Sequence, residues 1–155
     1  HPTNIGRMMG PWLVYQMIHG TTIGLFLNGP PSSQEFCQFA SDAKVTMLGV
    51  IPSIVKAWRA SYDDNDHKFD VDWNNIETFS STGEASDPKD MLWLMSRVKG
   101  YAPVIEYCGG TEIGGSFLSS TVVQPNVPSM FSTPVLGSRI ILVDPENDGR
   151  PFNNN

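Results

Sequence analysis

The sequence predicts an α/β fold: a largely parallel sheet flanked by helices, followed by a small, more antiparallel region. Helix and strand patterns alternate from the start to about residue 107. The strand candidates are apolar on both faces, as parallel strands covered on each side are. Beyond residue 116 the helical pattern stops, and short apolar runs are separated by Pro- and Ser-containing turns. A length of 155 residues gives room for one core but not for two substantial domains.

Thr3 or Asn4 can cap a first helix over residues 5–19. Met8, Met9, Trp12, Leu13, Tyr15, Met17 and Ile18 leave it almost no polar face, so burial on most sides is expected. Gly20 ends it. Residues 21–27 read as a strand, and Asn28-Gly29-Pro30-Pro31 turns the chain. Ser32 or Ser33 caps a helix over 34–40, with Glu35 in its first turn, where the helix dipole favours an anion. A strand over 45–50 follows, and Pro52 opens a helix to residue 60, since that position needs no amide hydrogen.

Residues 61–73 turn polar. Asp63-Asp64-Asn65-Asp66-His67-Lys68 lacks the glycine and terminal glutamate of a calcium loop, so it reads as an exposed surface loop. A strand over 76–80 runs into Ser81-Thr82-Gly83-Glu84. Asp87-Pro88 caps and opens a helix to residue 98, Gly100 breaks it, and a strand covers 103–107. Residues 121–127 and 139–143 read as further strands, 144–149 as a solvated acidic loop, and 150–155 as a frayed end. Right-handed crossovers put successive strand ends on one edge, so the loops bearing glycine, threonine and glutamate are expected at its carboxyl edge, where open sheets bind ligands.

Hydrophobic residues make up 40% of the chain and charged residues only 17%, with four Trp, eight Phe and seven Met. That balance points to part of a larger protein whose faces are normally covered. The net charge is -6, and no basic run is interleaved with aromatics, which argues against a nucleic-acid partner. The same charge disfavours ATP at long range, so a nucleotide site must work through local donors and a metal ion. Cys37 and Cys108 lack CxxC spacing and fit a reducing compartment. No secretory signal and no membrane span are expected.

The densest chemistry lies in Glu106-Tyr107-Cys108-Gly109-Gly110-Thr111-Glu112-Ile113-Gly114-Gly115-Ser116. Its glycines let backbone approach a ligand closely, and a hydroxyl and a carboxylate sit side by side among them. The combination suits a phosphorylated ligand held with a divalent cation. Thr111 would donate to a phosphoryl oxygen and Glu112 would supply an oxygen ligand to magnesium. The structural alternative has Glu112 capping a helix that starts at 113. In the bend at 81–84, Gly83 could lay backbone against a flat base, although helix capping explains the bend almost as well. Thr46 and Gly49-Val50-Ile51-Pro52 read first as structural and second as pocket lining beside the same edge. Tyr107 could stack on a ligand ring or serve the core.

Cys108 is a candidate nucleophile, but His1, His19 and His67 all precede it, in a cap, a helix end and a surface loop. These histidines do not make a zinc cluster. No GxxxxGK[ST] loop occurs, and no GxGxxG follows the first strand.

Taken in order, four blocks resemble the central part of the large domain of AMP-forming acyl-CoA synthetases, the adenylate-forming superfamily, and most nearly its acetyl-CoA-synthetase-like plant acyl-activating enzymes. They are Pro2-Thr3-Asn4-Ile5-Gly6 with Gly10 and the Gly20-Thr21-Thr22 turn; Val45-Thr46 through Pro52-Ser53; Ser81-Thr82-Gly83-Glu84; and Tyr107 through Gly115. The likeness covers residues 1–144.

The resemblance implies roles position by position. Thr111 contacts the phosphoryl group and Glu112 helps hold magnesium. Gly83, Glu84 and Ala85 pack around adenine, while Tyr107, Cys108, Gly109 and Gly110 border adenine and the acyl pocket. Arg7, Thr46, Gly49, Val50 and Gly114 fall along that pocket. Two positions depart from the family pattern. Arg7 stands where a tryptophan usually follows the glycine, exchanging a flat apolar wall for a long cation. Cys108 holds the usual aromatic position, with Tyr107 one place earlier.

The resemblance also implies an ATP-dependent acid–CoA ligase, with a small carboxylic acid, ATP and coenzyme A as substrates and magnesium as cofactor. Residues 1–120 would be the central α/β part of the large adenylation domain, 121–145 a β-rich segment of it, and 146–155 a disordered truncated end. The phosphate loop, the rest of the large domain and a C-terminal lid with a catalytic lysine would lie outside the chain, so the isolated chain is expected to be inactive. The implied location is intracellular, cytoplasmic or peroxisomal. Two alternatives are a divergent or truncated non-catalytic interaction protein and, third, a Cys108-dependent hydrolase.

Overall fold

In a computed structural model, residues 9–64, 71–146 and 149–151 are described. The elements in chain order are α1 (Met9–Ile18), α2 (Gln34–Asp42), β1 (Met47–Val50), α3 (Pro52–Asp64), β2 (Thr78–Ser81), α4 (Pro88–Met95), β3 (Val104–Gly110), β4 (Gly115–Ser119), β5 (Thr133–Pro134), β6 (Val143–Asp144) and β7 (Arg150–Pro151). β1, β2 and β3 lie side by side and parallel, with Val50 opposite Ser81 and Ser81 opposite Glu106. Parallel neighbours need long crossovers, which α3 and α4 provide, packing against each other. The sheet continues antiparallel through β4 and β5, and β6 pairs with β7 in a separate ribbon. The fold is thus the parallel sheet with an antiparallel extension that the sequence predicts.

Local chemistry sets the helix starts. The Ser33 hydroxyl accepts from the Phe36 amide at 3.2 Å, capping α2. Asp87 accepts from the Lys89 amide at 2.7 Å, and Pro88 opens α4. The core joins Leu48, Val50, Phe79 and Val104 of the strands to Val55 and Trp58 of α3, Met91 and Leu94 of α4, and Phe36 and Cys37 of α2. Aromatic rings run through it as a chain: Phe36 to Trp58 at 6.1 Å, Trp58 to Trp73 at 5.5 Å, and Trp73 to Phe79 at 6.0 Å. The Trp73 indole donates to the Cys37 carbonyl at 3.2 Å, and Arg59 of α3 meets Asp90 of α4 at 3.0 Å. Both cysteines are free, and burial pushes the Cys37 thiol up.

Several expectations are corrected. α1 is not buried on most sides: Val14, Tyr15, Met17 and Ile18 are exposed. An apolar helix is covered only where an apolar partner faces it. The proposed caps at Thr3 and Asn4 lie outside the described residues. Gly20, with φ +76°, does end the helix, but residues 21–27 form no strand, and Leu25 and Leu27 face solvent. α3 runs past residue 60 to Asp64, so Asp63 and Asp64 are helical; 65–70 lie outside the described residues.

Residues 121–127 are turn and coil, and of 139–143 only Val143 is in a strand. Apart from Val143, their residues pair with no strand among the described residues, and pairing, unlike capping, depends on distant chain. Arg150 and Pro151 are paired with β6 where a frayed end was expected, and 152–155 lie outside the described residues. Among the described residues no helix is long and apolar enough to cross a membrane.

Candidate functional site

β3 is longer than its parallel neighbours, and that difference builds the site. It pairs with β2 only as far as Glu106. Residues 107–110 run beyond the end of β2 and pair with β4 alone, with Tyr107 opposite Ser119 and Gly110 opposite Gly115. The glycine-rich stretch is therefore a projecting β-hairpin arm, and no helix starts at 113. Four residues close it: the Gly114 amide donates to the Thr111 carbonyl at 3.2 Å, and Gly114 takes the left-handed conformation, φ +62°. Thr111 and Glu112 are exposed in this loop, roughly 13 Å beyond Tyr107 at the usual strand rise.

A bend after β2 meets the base of the arm. The Thr82 hydroxyl donates to the Tyr107 carbonyl at 2.7 Å, and the Ser86 hydroxyl donates to Glu106 Oε1 at 2.7 Å. Between these ties Gly83, Glu84 and Ala85 are exposed, with Gly83 at φ +94°. The Glu84 side chain reaches α3, where its carboxylate accepts from the Ser53 amide at 2.9 Å and the Ser53 hydroxyl at 3.1 Å. A carboxylate there satisfies an unpaired amide and meets the positive end of the helix. The bend is thus pinned on three sides, leaving the backbone at 83 and 85 open.

The sequence-predicted residues divide in space. Gly83, Glu84 and Ala85 gather with Tyr107 at the carboxyl end of β2, and Cys108, Gly109, Gly110, Thr111, Glu112 and Gly114 follow along the arm. Gly49 and Val50 are buried in β1, with Val50 beside Ser81. Thr46 is corrected: it precedes β1, its carbonyl accepting from the amides of Glu77 and Thr78 at the amino end of the strands, opposite to the carboxyl edge. Arg7 lies outside the described residues.

Burial pushes the Tyr107 phenol up to about 12, against a hydrogen bond with Ser80. Cys108 is half-buried opposite Leu118, while His19, the one histidine among the described residues, packs its ring on Tyr15 beyond α1. Among the described residues no three His, Cys, Asp or Glu side chains gather to hold a metal. Glu112 is the carboxylate at the tip, its Oε2 lying 3.0 Å from where a side chain on Gly110 would begin.

Sequence reasoning passed over Glu106. It is a carboxylate only 5% exposed, held above the ordinary carboxylate range by burial and opposed by the hydroxyls of Ser86 and, more weakly, Ser81. The signal was available: an acid two residues after buried Val104 shares that residue's inward face.

The AMP-binding enzyme family matches this sequence over residues 4–155. The chain belongs to that family. It is 49% identical over 151 residues to "Probable acyl-activating enzyme 17, peroxisomal" of Arabidopsis thaliana, covering 97% of this chain and 20% of that protein. It is 46% identical over 153 residues to "Hexanoyl-CoA synthase" of Cannabis sativa, covering 98% of this chain and 20% of that one. Among solved structures, acetoacetyl-CoA synthetase from Streptomyces lividans matches with TM-score 0.74 at 24% identity, over 99% of this chain and 24% of that one. The anthranilate CoA ligase AuaEII in complex with anthranoyl-AMP matches with TM-score 0.66 at 21% identity, over 83% and 23%. These two likenesses are of fold. This member of the AMP-binding family spans about a fifth of the length of the curated relatives it matches.

Proposed function

We propose that the full-length parent of this chain is an ATP-dependent acid–CoA ligase. A small carboxylic acid would attack the α-phosphoryl group of ATP, releasing pyrophosphate and leaving an acyl-adenylate; the coenzyme A thiol would then displace AMP to give the thioester. The observation that carries this reading is the tie from Thr82 to Tyr107, which joins the open bend at 83–85 to the arm bearing Thr111 and Glu112. Family membership and relatives named as acyl-activating and acyl-CoA-forming enzymes support it.

In this scheme the backbone of Gly83, Glu84 and Ala85, with Tyr107, Cys108, Gly109 and Gly110, borders the adenine end. Thr111 donates its hydroxyl to a phosphoryl oxygen. Gly49, Val50 and Gly114 lie towards the acid. One exposed carboxylate beside a hydroxyl fits magnesium that arrives on phosphates, because that ion is commonly held by one or two carboxylates plus substrate oxygens and water. Glu112 would hold it. When bound, magnesium would neutralise charge building on the phosphoryl oxygens. Thr111 and Glu112 orient and stabilise; neither forms a covalent bond to substrate.

Residues 1–120 and 121–145 belong, on this reading, to one large adenylation domain completed by flanking chain and a C-terminal lid. The name of the Arabidopsis relative supports a peroxisomal location. Pyrophosphate release by the full-length protein with ATP, magnesium and acids from acetate to hexanoate tests the activity. Acid-dependent release is expected, and Glu112→Ala should lower turnover by about a hundredfold. A Glu112→Ala enzyme with undiminished turnover removes the metal role; no acid-dependent release from the parent removes the ligase.

A further inference from the structure

Asn28 is followed by Gly29, and no other asparagine in the chain precedes a glycine. The pair lies in the bend between residues 21–27 and α2, and both residues are exposed. Among the described residues no hydrogen bond holds the Asn28 side chain or the Gly29 amide. Nothing lies within 4 Å of where a side chain on Gly29 would begin, and its φ of +156° is one that glycine adopts readily. Pro30 has no amide hydrogen, so it cannot close the local turn that usually ties up an asparagine oxygen two residues earlier. Asn126 is the contrast. Its side-chain nitrogen donates to the Thr121 carbonyl at 2.8 Å, its oxygen accepts from the Ser132 hydroxyl at 3.1 Å, and branched Val127 follows it.

We propose that Asn28-Gly29 is a site of spontaneous modification, where Asn28 becomes aspartate and isoaspartate with water as co-reactant. The Gly29 amide gives its proton to base, and its nitrogen attacks Asn28 Cγ. The N–Cγ bond forms, the Cγ–Nδ2 bond breaks, and ammonia leaves with a proton from solvent. Water then opens the cyclic imide. Cleavage of the new N–Cγ bond gives aspartate; cleavage of the original peptide bond leaves the main chain running through Cγ, as isoaspartate. Glycine matters because the ring closes on the nitrogen of residue 29, where a Cβ would crowd the approach. At neutral pH either product adds a negative charge ahead of α2. Isoaspartate also lengthens the main chain between Phe26 and α2, whose Phe36 and Phe39 rings stand 5.4 and 5.5 Å from the Phe26 ring. The step needs no ligand and is independent of the ligase reading.

Incubation of the folded full-length protein at mildly alkaline pH, then digestion and mass analysis of the peptide holding residue 28, tests the site. That peptide should exchange the mass of an amino group for that of a hydroxyl and separate into aspartate and isoaspartate forms. Conversion should speed up in proportion to hydroxide, while the peptide holding Asn126 keeps its mass. Asn28→Gln should not convert at that position, and Gly29→Ala should convert about tenfold more slowly. The wild-type thermal midpoint should fall as isoaspartate accumulates, and that of Asn28→Gln should hold. An Asn28 that stays intact in the folded protein, an aspartate product without isoaspartate, or a Gly29→Ala rate equal to wild type would each overturn the site. A level midpoint despite accumulated isoaspartate would overturn its link to α2. If Gly29→Ala does not fold by circular dichroism, the isoaspartate product and the intact Asn126 peptide decide it.

Discussion

At Gly109 one hydrogen atom decides whether the arm can form. A Cβ there would run into the Gly115 carbonyl oxygen and come within 2.5 Å of Ser116 Cα, both backbone atoms of the facing strand. The register shifts beside it, between Cys108 and Gly109, so the strands cross closest where a side chain would need space. Gly109→Ala should destabilise the full-length protein by about 2–4 kcal/mol, while Gly115→Ala, whose Cβ meets nothing within 4 Å, should leave the thermal midpoint nearly unmoved. Equal midpoints for the two variants would contradict the crowding.

Glu106 gives a second residue-scale expectation, in pH. Its folded carboxyl titrates above the ordinary value, mainly through burial, with Ser86 and Ser81 opposing. Between the unfolded and the folded values the folded state holds a proton that the unfolded state has released, so stability is highest below the unfolded carboxyl value and falls as pH rises through the folded one. Denaturant midpoints of Glu106→Gln should gain on wild type from mildly acidic to neutral pH. Parallel curves would show that Glu106 is as well solvated folded as unfolded.

Among elements, those set by nearby atoms were legible in the sequence and those set by distant chain were not. Ser33 and Asp87 mark helix starts because a cap bonds an amide two or three residues away, and Pro52 and Pro88 do because the first helical position needs no amide hydrogen. Residues 21–27 and 121–127 carry strand-like side chains, but a strand exists only beside a partner, and no partner is spelled in the run itself. The residue types of the arm stand out in the sequence, but its shape does not. Glycines that signal a loop here permit two backbones to meet, and Thr111 with Glu112 was picked out by residue type without any sign that β3 carries it past the sheet. Thr46 shows the converse: its nearness in sequence to Gly49 and Val50 suggested one edge, whereas four residues of strand put it at the opposite end. Glu84 stands out in the sequence by residue type, but its carboxylate is spent on the start of α3, which follows from a register between β1 and β2 that no local pattern encodes.

The whole molecule presents much apolar surface to water. Leu136 is fully exposed, Leu27 and Val123 are 87% and 86% exposed, and Ile18 is 76% exposed, on four separate segments. Scattered single residues of this kind are ordinary, but α1, residues 25–27 and the stretch from 122 to 143 each expose several together, more than a soluble monomer usually tolerates. Low charge, 17% of residues, leaves little to oppose association. A chain spanning about a fifth of its relatives' length accounts for both features if the remaining length covers these faces. The isolated 155 residues should then enhance the fluorescence of a hydrophobic dye, sediment as concentration-dependent oligomers, and release no pyrophosphate with ATP and acid. The full-length parent should show weak dye enhancement. A monodisperse, dye-silent 155-residue monomer would mean that the core built on Trp58, Phe79 and Met91 needs no cover, and the low charge would then require another cause. Dye binding as strong in the parent as in the isolated chain would show that these faces stay open in the complete protein.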